Sequence, residues 1–450
     1  MTAAHPVQPI AAVTNDDRRA ATPPPLVTVI IPTRKRAASL PAALDSVYAQ
    51  RGLGEQFEVE VIVVDDASSD ATPAVVQRYP RARYIRLPEH RGGCAVRNEG
   101  LRASTGRYVA FLDDDDVWLP GKLEVQVPAL EAHPEVGVVY SQFRVRLRDR
   151  EWLYPLEDHA PSGWVFPEML MENCCGGSLL IRRGAFERAG DFDESFEVYE
   201  DYDVWLRLAF HFPFLFIPGP AAVYNLSPQG LFLSSAADGP GPRDRVRVAQ
   251  KALAMLPVSA EYATLRQEAE ACADVGTVAP LLILGEVMQA WPRLLVKVSA
   301  RPWILQYAGV RRHMKWATFM RLGASPTRLQ AMRELHAEIR AAAQRNYPGS
   351  RPARDSCAAL WAAVASYLAD DPRVRREAAY AVASSLVYRP LPAHPLDTLR
   401  LISRVLPGNR MRAALWRLVT SAVPIARKVV SRVKRTSARV GPVPDQAPRR

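Results

Sequence analysis

At 450 residues with 48% hydrophobic side chains, the chain is long enough for two or three packed domains. Its five cysteines, an odd number without CxxC spacing, exclude a disulfide scaffold, and no apolar run reaches the roughly 18 residues of a transmembrane helix. Residues 1–250 hold 26 Lys and Arg against 34 Asp and Glu, whereas residues 251–450 hold 32 against 13. We expect a cytoplasmic protein, soluble or peripheral, with an acidic front half that suits a metal and a basic back half that suits an anionic surface.

Residues 1–25 are rich in Ala, Pro and Thr without periodicity, and we predict a disordered leader there. Beyond this leader, short apolar runs alternate with segments of helical spacing. The predicted strands are 26–31, 59–64, 82–87 and 107–112, and the predicted helices are 37–50, 70–79 and 91–104. This alternation predicts an α/β fold with a mostly parallel sheet and helices on both faces, whose ligands bind beyond the carboxyl ends of the strands.

Carboxylates follow two of these predicted strands. Asp65 and Asp66 end the second strand, and four consecutive aspartates at residues 113–116 follow the fourth. Adjacent carboxylates repel one another, so a cluster of hard oxygen ligands favours Mg²⁺ or Mn²⁺ shared with a phosphate-bearing substrate. A solvated acidic turn is the alternative, but Trp118 and Pro120 indicate that a packed helix starts directly afterwards.

Basic residues and glycines occupy the same predicted edge of the sheet. Arg36, Arg91 and Arg97 come just after strand ends or in the following helices, where they could balance the aspartates and a diphosphate. Solvated surface arginines are the alternative. The Gly92-Gly93 pair could let the backbone approach a phosphate, or it could mark a plain turn.

The pattern continues with a helix to about residue 130, a strand at 136–147, a loop-rich stretch, and a strand-like run at 176–183. Glu200 and Asp201 then open an amphipathic helix. Acids in a first helical turn can simply favour the helix dipole, or they can be catalytic, and the spacing alone leaves both readings open.

Taken in order, these segments resemble the inverting glycosyltransferases of family 2, which have the GT-A fold. The likeness is carried by VTVIIPTRKR (27–36), VIVVDDASSDAT (61–72), RGGCAVRNEGLRASTGRYVAFLDDDDVWLP (91–120), CGGSLLIRR (175–183) and YEDYDVWLRL (199–208). The resemblance implies a transferase domain over residues 26–235. It also implies transfer of a sugar from a nucleotide-sugar donor, with UDP-sugars favoured, to a hydroxyl of a glycan or lipid-linked acceptor in cell-surface polysaccharide or glycolipid synthesis.

The resemblance assigns the nucleotide site residue by residue. Pro32, Thr33 and Arg36 match the loop that cradles the nucleotide. Asp66 matches the acid that reads the base or ribose, and Arg97 matches an arginine beside the diphosphate.

The same resemblance assigns the metal ligands and the catalytic base. Asp113 and Asp115 match the DxD motif, so we expect them to hold Mn²⁺ or Mg²⁺ against the diphosphate, with Asp115 as the direct ligand. Asp114 is expected on the nucleotide side, and either Asp114 or Asp116 could assist. Asp201, together with Glu200, matches the ED pair, and Asp201 is the implied catalytic base that takes the proton of the acceptor hydroxyl.

One segment departs from the family pattern. Members often carry Tyr-Arg-x-His after the ED helix and its next strand, whereas this chain has Tyr224, Asn225, Leu226 and Ser227. The basic residue and a metal-side imidazole are therefore missing, and a third metal contact is left unassigned. Two other functions stay open: a nucleotidyltransferase on a related sheet, and a catalytically weak nucleotide-sugar-binding protein.

The back half resembles no family, and its pattern is helical. Residues 245–405 carry Ala and Leu at helical spacing, which predicts an α-helical C-terminal region. Residues 410–450 interleave apolar and basic side chains, a pattern typical of a helix lying on an anionic membrane. A helix that caps the C-terminal region is the alternative. We expect the protein to bind the inner face of the cell membrane, and we expect no nucleic-acid partner.

Overall fold

The computed structural model of the protein describes residues 23–155, 160–236 and 239–284, together with positions 286, 289, 293 and 297. The chain divides into two compact units, Met1–Leu284 and Gly285–Arg450. Most of the predicted leader, the predicted helical region beyond position 297, and the predicted basic tail at 410–450 lie outside the described residues.

Strands and helices alternate along the first unit, as the sequence predicts. The strands are β1 Leu26–Thr33, β2 Glu58–Asp65, β3 Ala82–Arg86, β4 Tyr108–Phe111, β5 Val117–Trp118, β6 Val138–Leu147, β7 Arg150–Tyr154, β8 Leu179–Arg182 and β9 Phe214–Asn225. The helices are α1 Leu40–Tyr48, α2 Thr72–Val76, α3 Gly93–Ala103, α4 Lys122–Ala132, α5 Phe166–Met171, α6 Phe186–Ala189, α7 Glu200–His211, α8 Leu231–Ser234, α9 Pro240–Ala254, α10 Ala263–Gly276 and α11 Ala279–Leu284.

Within the described residues, the strands form one nine-stranded sheet ordered β3-β2-β1-β4-β8-β6-β9-β5, with β7 paired to β6. The first four strands run parallel to one another. β8 is antiparallel to both β4 and β6, whereas β6 and β9 form a long parallel pairing. The predicted fold class, a mixed and mostly parallel α/β sheet, is confirmed.

Alternate residues of β1 face two different helical layers. Val27, Val29 and Ile31 belong to a buried cluster that includes side chains of α1 and α4. On the opposite face, α3 lies very close to the sheet, because a Cβ atom placed on Gly100 would lie 2.4 Å from Cγ2 of Ile30. Helices therefore cover both faces of the sheet, and any larger residue at position 100 would force α3 away from β1.

The parallel strands bring their carboxyl ends to one edge of the sheet. Thr33 at the end of β1 pairs in register with Asp65 at the end of β2. The Leu112 amide, just after β4, donates to the Ile30 carbonyl at 3.1 Å. The two predicted clusters of acids therefore follow neighbouring parts of the same edge.

The predicted helix that follows Pro120 is confirmed as α4, but the prediction that Trp118 marks its start is wrong. Val117 and Trp118 form the short strand β5, which pairs with Val223 and Ala222 of β9, and α4 begins only at Lys122. The pairing partner lies about a hundred residues away, so no local pattern indicates the strand. The stretch predicted to be loop-rich likewise contains β7 and α5.

The first two helices after the predicted transferase domain belong to the first compact unit. α9 packs against α7, and α10 packs against α5 and α9. None of the helices that the structure describes combines the length and the apolarity needed to cross a bilayer. The domain boundaries drawn from the sequence stay predictions.

Candidate active site

The loop after β1 and the acidic loop after β4 contact each other at the carboxyl edge of the sheet. The backbone amide of Arg34 donates to Oδ2 of Asp114 at 3.3 Å. The guanidinium of Arg36 lies 3.2 Å from Oδ2 of Asp115 and 4.0 Å from Oδ1 of Asp114. Pro32 and Thr33 close β1 immediately before these contacts. The residues that the sequence assigns to a nucleotide loop and to a DxD motif are thus brought together.

Asp66 uses its carboxylate to hold a second loop of the same edge. It accepts hydrogen bonds from Nδ1 of His90 at 2.5 Å, from the Arg91 amide at 2.7 Å and from the Gly92 amide at 3.0 Å. Gly92 has a φ of 90°, a backbone conformation that favours glycine, and α3 starts directly after it. Asp66 therefore fixes the entry into the helix that carries Arg97.

Arg97 joins the acidic loop to the start of α7. Its Nη2 atom donates to Oδ1 of Asp113 at 2.7 Å, and its Nη1 atom donates to Oε1 of Glu200 at 3.0 Å. The Arg97 side chain is only 13% exposed. Burial acts to lower the pKa of Arg97, but the surrounding carboxylates, Asp113 first, outweigh it and raise the pKa above its usual value. The guanidinium thus stays charged between two acids that are about ninety residues apart in the chain.

The ED pair begins helix α7 and is half-buried. Oδ1 of Asp201 accepts a hydrogen bond from the Tyr202 amide at 2.6 Å. Burial, followed by the repulsion of Glu200, raises the pKa of Asp201 to about 7, and burial also raises the pKa of Glu200. A carboxylate with a pKa near neutrality is suited to accept a proton from a substrate hydroxyl.

The four aspartates after β4 are held close together despite their repulsion. Burial raises the pKa of Asp114 to about 7, and it raises the pKa of Asp115 and of Asp116 as well. The mutual repulsion of these acids adds to each of the three shifts. A cation in this cluster would relieve the repulsion, because it would favour the ionised form of each carboxylate.

The carboxylates of the acidic loop suit a metal site that a substrate completes, and they do not suit a site built wholly from protein side chains. Among the described residues, no group of three or more His, Cys, Asp or Glu side chains is arranged to enclose a metal ion. Mg²⁺ is often held by only one or two carboxylates, with its remaining ligands supplied by substrate phosphates and water. Buried and half-buried aspartates that repel one another at the carboxyl edge of the sheet fit that second arrangement.

Asn225 is a site residue that the sequence does not indicate. Its backbone amide donates to Oδ1 of Asp116 at 2.7 Å, and its side-chain Nδ2 donates to the carbonyl of Asp115 at 2.6 Å. The preceding residue, Tyr224, is packed edge-on against Phe143. The segment that departs from the family pattern therefore binds the acidic loop through one backbone carbonyl and one carboxylate. Only the pairing of β9 with β5 and β6 reveals this role.

Residues 28–190 match the family model described as glycosyl transferase family 2. An uncharacterized glycosyltransferase of Haemophilus influenzae is 30% identical over 182 residues, which cover 40% of this chain and 60% of that protein. A putative teichuronic acid biosynthesis glycosyltransferase, TuaG of Bacillus subtilis, is 33% identical over 157 residues, which cover 33% of this chain and 60% of TuaG. The chain thus spans less than two thirds of the length of these curated relatives.

A solved structure of the Staphylococcus aureus protein TarS, residues 1–349, in complex with UDP-GlcNAc is 17% identical to this chain, with a TM-score of 0.48. The superposition covers 73% of this chain and 90% of the TarS chain. The match to the family model includes Arg97 and the acidic loop but ends before Glu200.

The bridge formed by Arg97 leads to a prediction about stability. We expect Arg97→Gln to lower the free energy of unfolding by about 3 kcal/mol, because removal of one partner from a buried ion pair leaves the other charges uncompensated. Urea unfolding followed by tryptophan fluorescence measures the change. Arg102→Gln is the matched control, since Arg102 is on the same helix and forms an exposed ion pair with Glu99. Equal losses in the two variants would contradict the bridging role.

Proposed function

From the glycosyl transferase family 2 domain carried by residues 28–190, we infer that this chain transfers a sugar from a nucleoside-diphosphate sugar to an acceptor hydroxyl. The observation that carries the proposal is the link through Arg97 between the acidic loop after β4 and the ED pair of α7. The acidic loop, which is suited to bind a metal and a diphosphate, and Asp201, which is suited to accept a proton, then lie on the two sides of the Arg97 guanidinium. A sugar between them could lose its diphosphate as it gains the acceptor oxygen.

The proposed reaction is a single displacement with inversion. The acceptor oxygen attacks the anomeric carbon, the bond from that carbon to the diphosphate oxygen breaks, and the bonding electrons leave with the diphosphate. Asp201 takes the hydroxyl proton, for which its raised pKa of about 7 is suited. Glu200 stays paired with Arg97 and holds the start of α7 in place.

Charge on the leaving diphosphate is balanced by residues of the sheet edge. We propose that Asp115 and Asp113 hold Mn²⁺ or Mg²⁺, with Asp114 assisting, and that the bound ion supplies positive charge to the diphosphate. Arg36 and Arg97 add cationic hydrogen-bond donors on the same side.

The nucleotide would lie along the loops that follow β1 and β2. Pro32, Thr33 and Arg36 form its cradle in this proposal. Asp66 is proposed to read the base or ribose, and it also fixes the loop at residues 90–92. UDP is the favoured nucleotide in this proposal.

The acceptor and the location are proposed from the relatives and from the sequence of the tail. One curated relative is named for teichuronic acid biosynthesis, which supports a glycan or lipid-linked acceptor of the cell surface. We propose that residues 410–450 hold the protein on the inner face of the membrane, because basic and apolar side chains alternate there. Co-sedimentation with anionic vesicles at low salt, weakened by added salt, is the expected result, and a full-length chain that ignores such vesicles would contradict it.

A panel of UDP- and GDP-sugars incubated with Mn²⁺, read as released nucleotide, tests the proposed function. We expect slow hydrolysis of one donor and a rate that rises with pH through about 7, because Asp201 must be deprotonated to act. In the same assay, Asp201→Asn should keep donor binding and lose about 10² to 10⁴ in rate. The Tyr202 amide can still donate to the asparagine oxygen, so the local geometry is preserved.

Two other results would overturn the assignment, one in this panel and one in a separate incubation with nucleoside triphosphates and sugar phosphates, and a third would move the base. Binding of a donor without release of nucleotide indicates a binding protein, and consumption of a nucleoside triphosphate with a sugar phosphate indicates a nucleotidyltransferase. Unchanged turnover in Asp201→Asn would move the base to Glu200, since Asp203 is buried and paired with Arg207 and Lys251.

The proposed metal ligand has its own test. We expect Asp115→Ala to remove the gain in UDP affinity that Mn²⁺ gives, because the ion loses a carboxylate ligand and the diphosphate charge is then poorly balanced. Calorimetric titration of UDP with and without Mn²⁺ measures this gain. The control is Asp149→Ala, which removes an exposed acid between β6 and β7. A metal-dependent gain equal to that of the parent would show that Asp115 is not a ligand.

A further inference from the structure

Helix α9 contacts the segment that leads into the ED pair. It begins at Pro240, after the family match has ended, and it lies in the part of the chain where the sequence predicts the change from transferase domain to helical region. Asp244, Arg247 and Lys251 lie on one face of this helix, since they are three and four residues apart. All three make polar contacts with residues 193–203.

Asp244 is the centre of these contacts. Its side chain is fully buried, and Oδ2 accepts hydrogen bonds from the amides of Glu197 at 3.0 Å and Val198 at 3.3 Å. Oδ1 accepts from Nε of Arg243 and from Nη1 of Arg247, each at 3.0 Å. Burial acts to raise the pKa of Asp244, but these hydrogen bonds outweigh it and keep the pKa below its usual value. A buried carboxylate with four donors is a strong anchor for the backbone that it binds.

Lys251 fixes the two ends of the same segment. Its Nζ atom lies 2.7 Å from Oδ2 of Asp193 and 2.9 Å from Oδ2 of Asp203, which is in the first turn of α7. Arg247 donates to the carbonyl of Ser195 at 3.1 Å and to its Oγ atom at 3.0 Å. The segment from 193 to 203 is therefore held at its start, middle and end by one helix.

The backbone at this point needs such support. Tyr199, which precedes the ED pair, has a φ of 64°, and a residue other than glycine in this region carries a strain of about 1 kcal/mol or more. No side chain caps the start of α7, and three acids stand in its first turn. The amide of Val198, next to the strained residue, is one of the two that Asp244 binds.

We propose that Asp244 is a positioning residue for the transfer reaction, and that α9 is part of the catalytic unit because it sets the direction of the Asp201 carboxylate. This inference rests on the proposed role of Asp201 as the base. A proton acceptor displaced by about 1 Å can lower a rate by about 10²-fold. Most of the groups proposed to bind the donor lie at the ends of β1, β2 and β4, and Arg97 of α3 keeps its bond to Asp113 when Glu200 shifts. A loosened segment is therefore expected to affect the chemical step far more than donor affinity.

Asp244→Asn is the variant that tests the proposal. The asparagine keeps the shape, and its one oxygen can still accept from a backbone amide, but its NH₂ group faces two guanidinium groups. We expect kcat to fall about 10- to 100-fold while KM for the donor stays within about twofold. Lys251→Gln, on a less buried side chain, should lower kcat in the same way, and Lys251→Arg should restore most of it. Glu124→Gln is the control, because it breaks an ion pair with Arg51 that does not touch residues 193–203.

Amide hydrogen exchange measures how firmly α9 holds residues 193–203, and it requires no catalytic turnover. Peptides that cover residues 193–203 should exchange faster in Asp244→Asn, while peptides from β1 and α1 should exchange as in the parent. A parent-like kcat in both Asp244→Asn and Lys251→Gln would overturn the proposal, and so would faster exchange spread over the whole first unit with kcat and KM changed together. If the parent turns over no donor at all, the proposed function fails, whereas the exchange data still decide whether α9 holds the segment.

Discussion

One guanidinium between carboxylates from two distant parts of the chain is the interaction on which this site depends. Arg97 donates to Asp113, which follows β4, and to Glu200, which opens α7. Without that cation, desolvation and mutual repulsion would drive the two acids apart or neutralise them. The shared edge of the sheet, the close packing of α3 and the contacts made by α9 all serve to keep these groups within hydrogen-bond distance.

The fold could be predicted from the sequence where its signals are local. The apolar run of β1 and the helical spacing of α1 each identify their element without reference to the rest of the chain. Two-residue strand β5 has no such signal, because Val117 and Trp118 are extended only through pairing with Val223 and Ala222 of β9. The sequence also missed β7 and the six-residue helix α5, which are short and lie in a stretch that it predicts to be loop-rich.

The candidate site likewise contains residues that the sequence indicates and residues that only the structure reveals. Residue types and their order were sufficient to single out the acidic loop, because four carboxylates directly follow an apolar strand there. Asp201 was identified only through the family resemblance, because acids in a first helical turn can also favour the helix dipole. The contacts of Asn225 with that loop and of Asp244 with the segment before α7 depend on tertiary packing. Comparison with the family pattern shows that the arginine is missing at position 225, but it cannot show what Asn225 binds instead.

The tight packing at Gly100 limits how the site can respond to a ligand. Gly100 lies against Ile30 with no space for a methyl group, so α3 has little freedom to slide over β1. Arg97, three residues earlier on the same helix, therefore keeps a constant position relative to the sheet. Asp113 lies in a loop, a kind of segment that moves more readily, whereas Glu200 opens a helix whose approach is held by α9. Arg97 is thus a fixed reference point, and a ligand that displaced Asp113 would change the distance of that carboxylate from a guanidinium that stays in place.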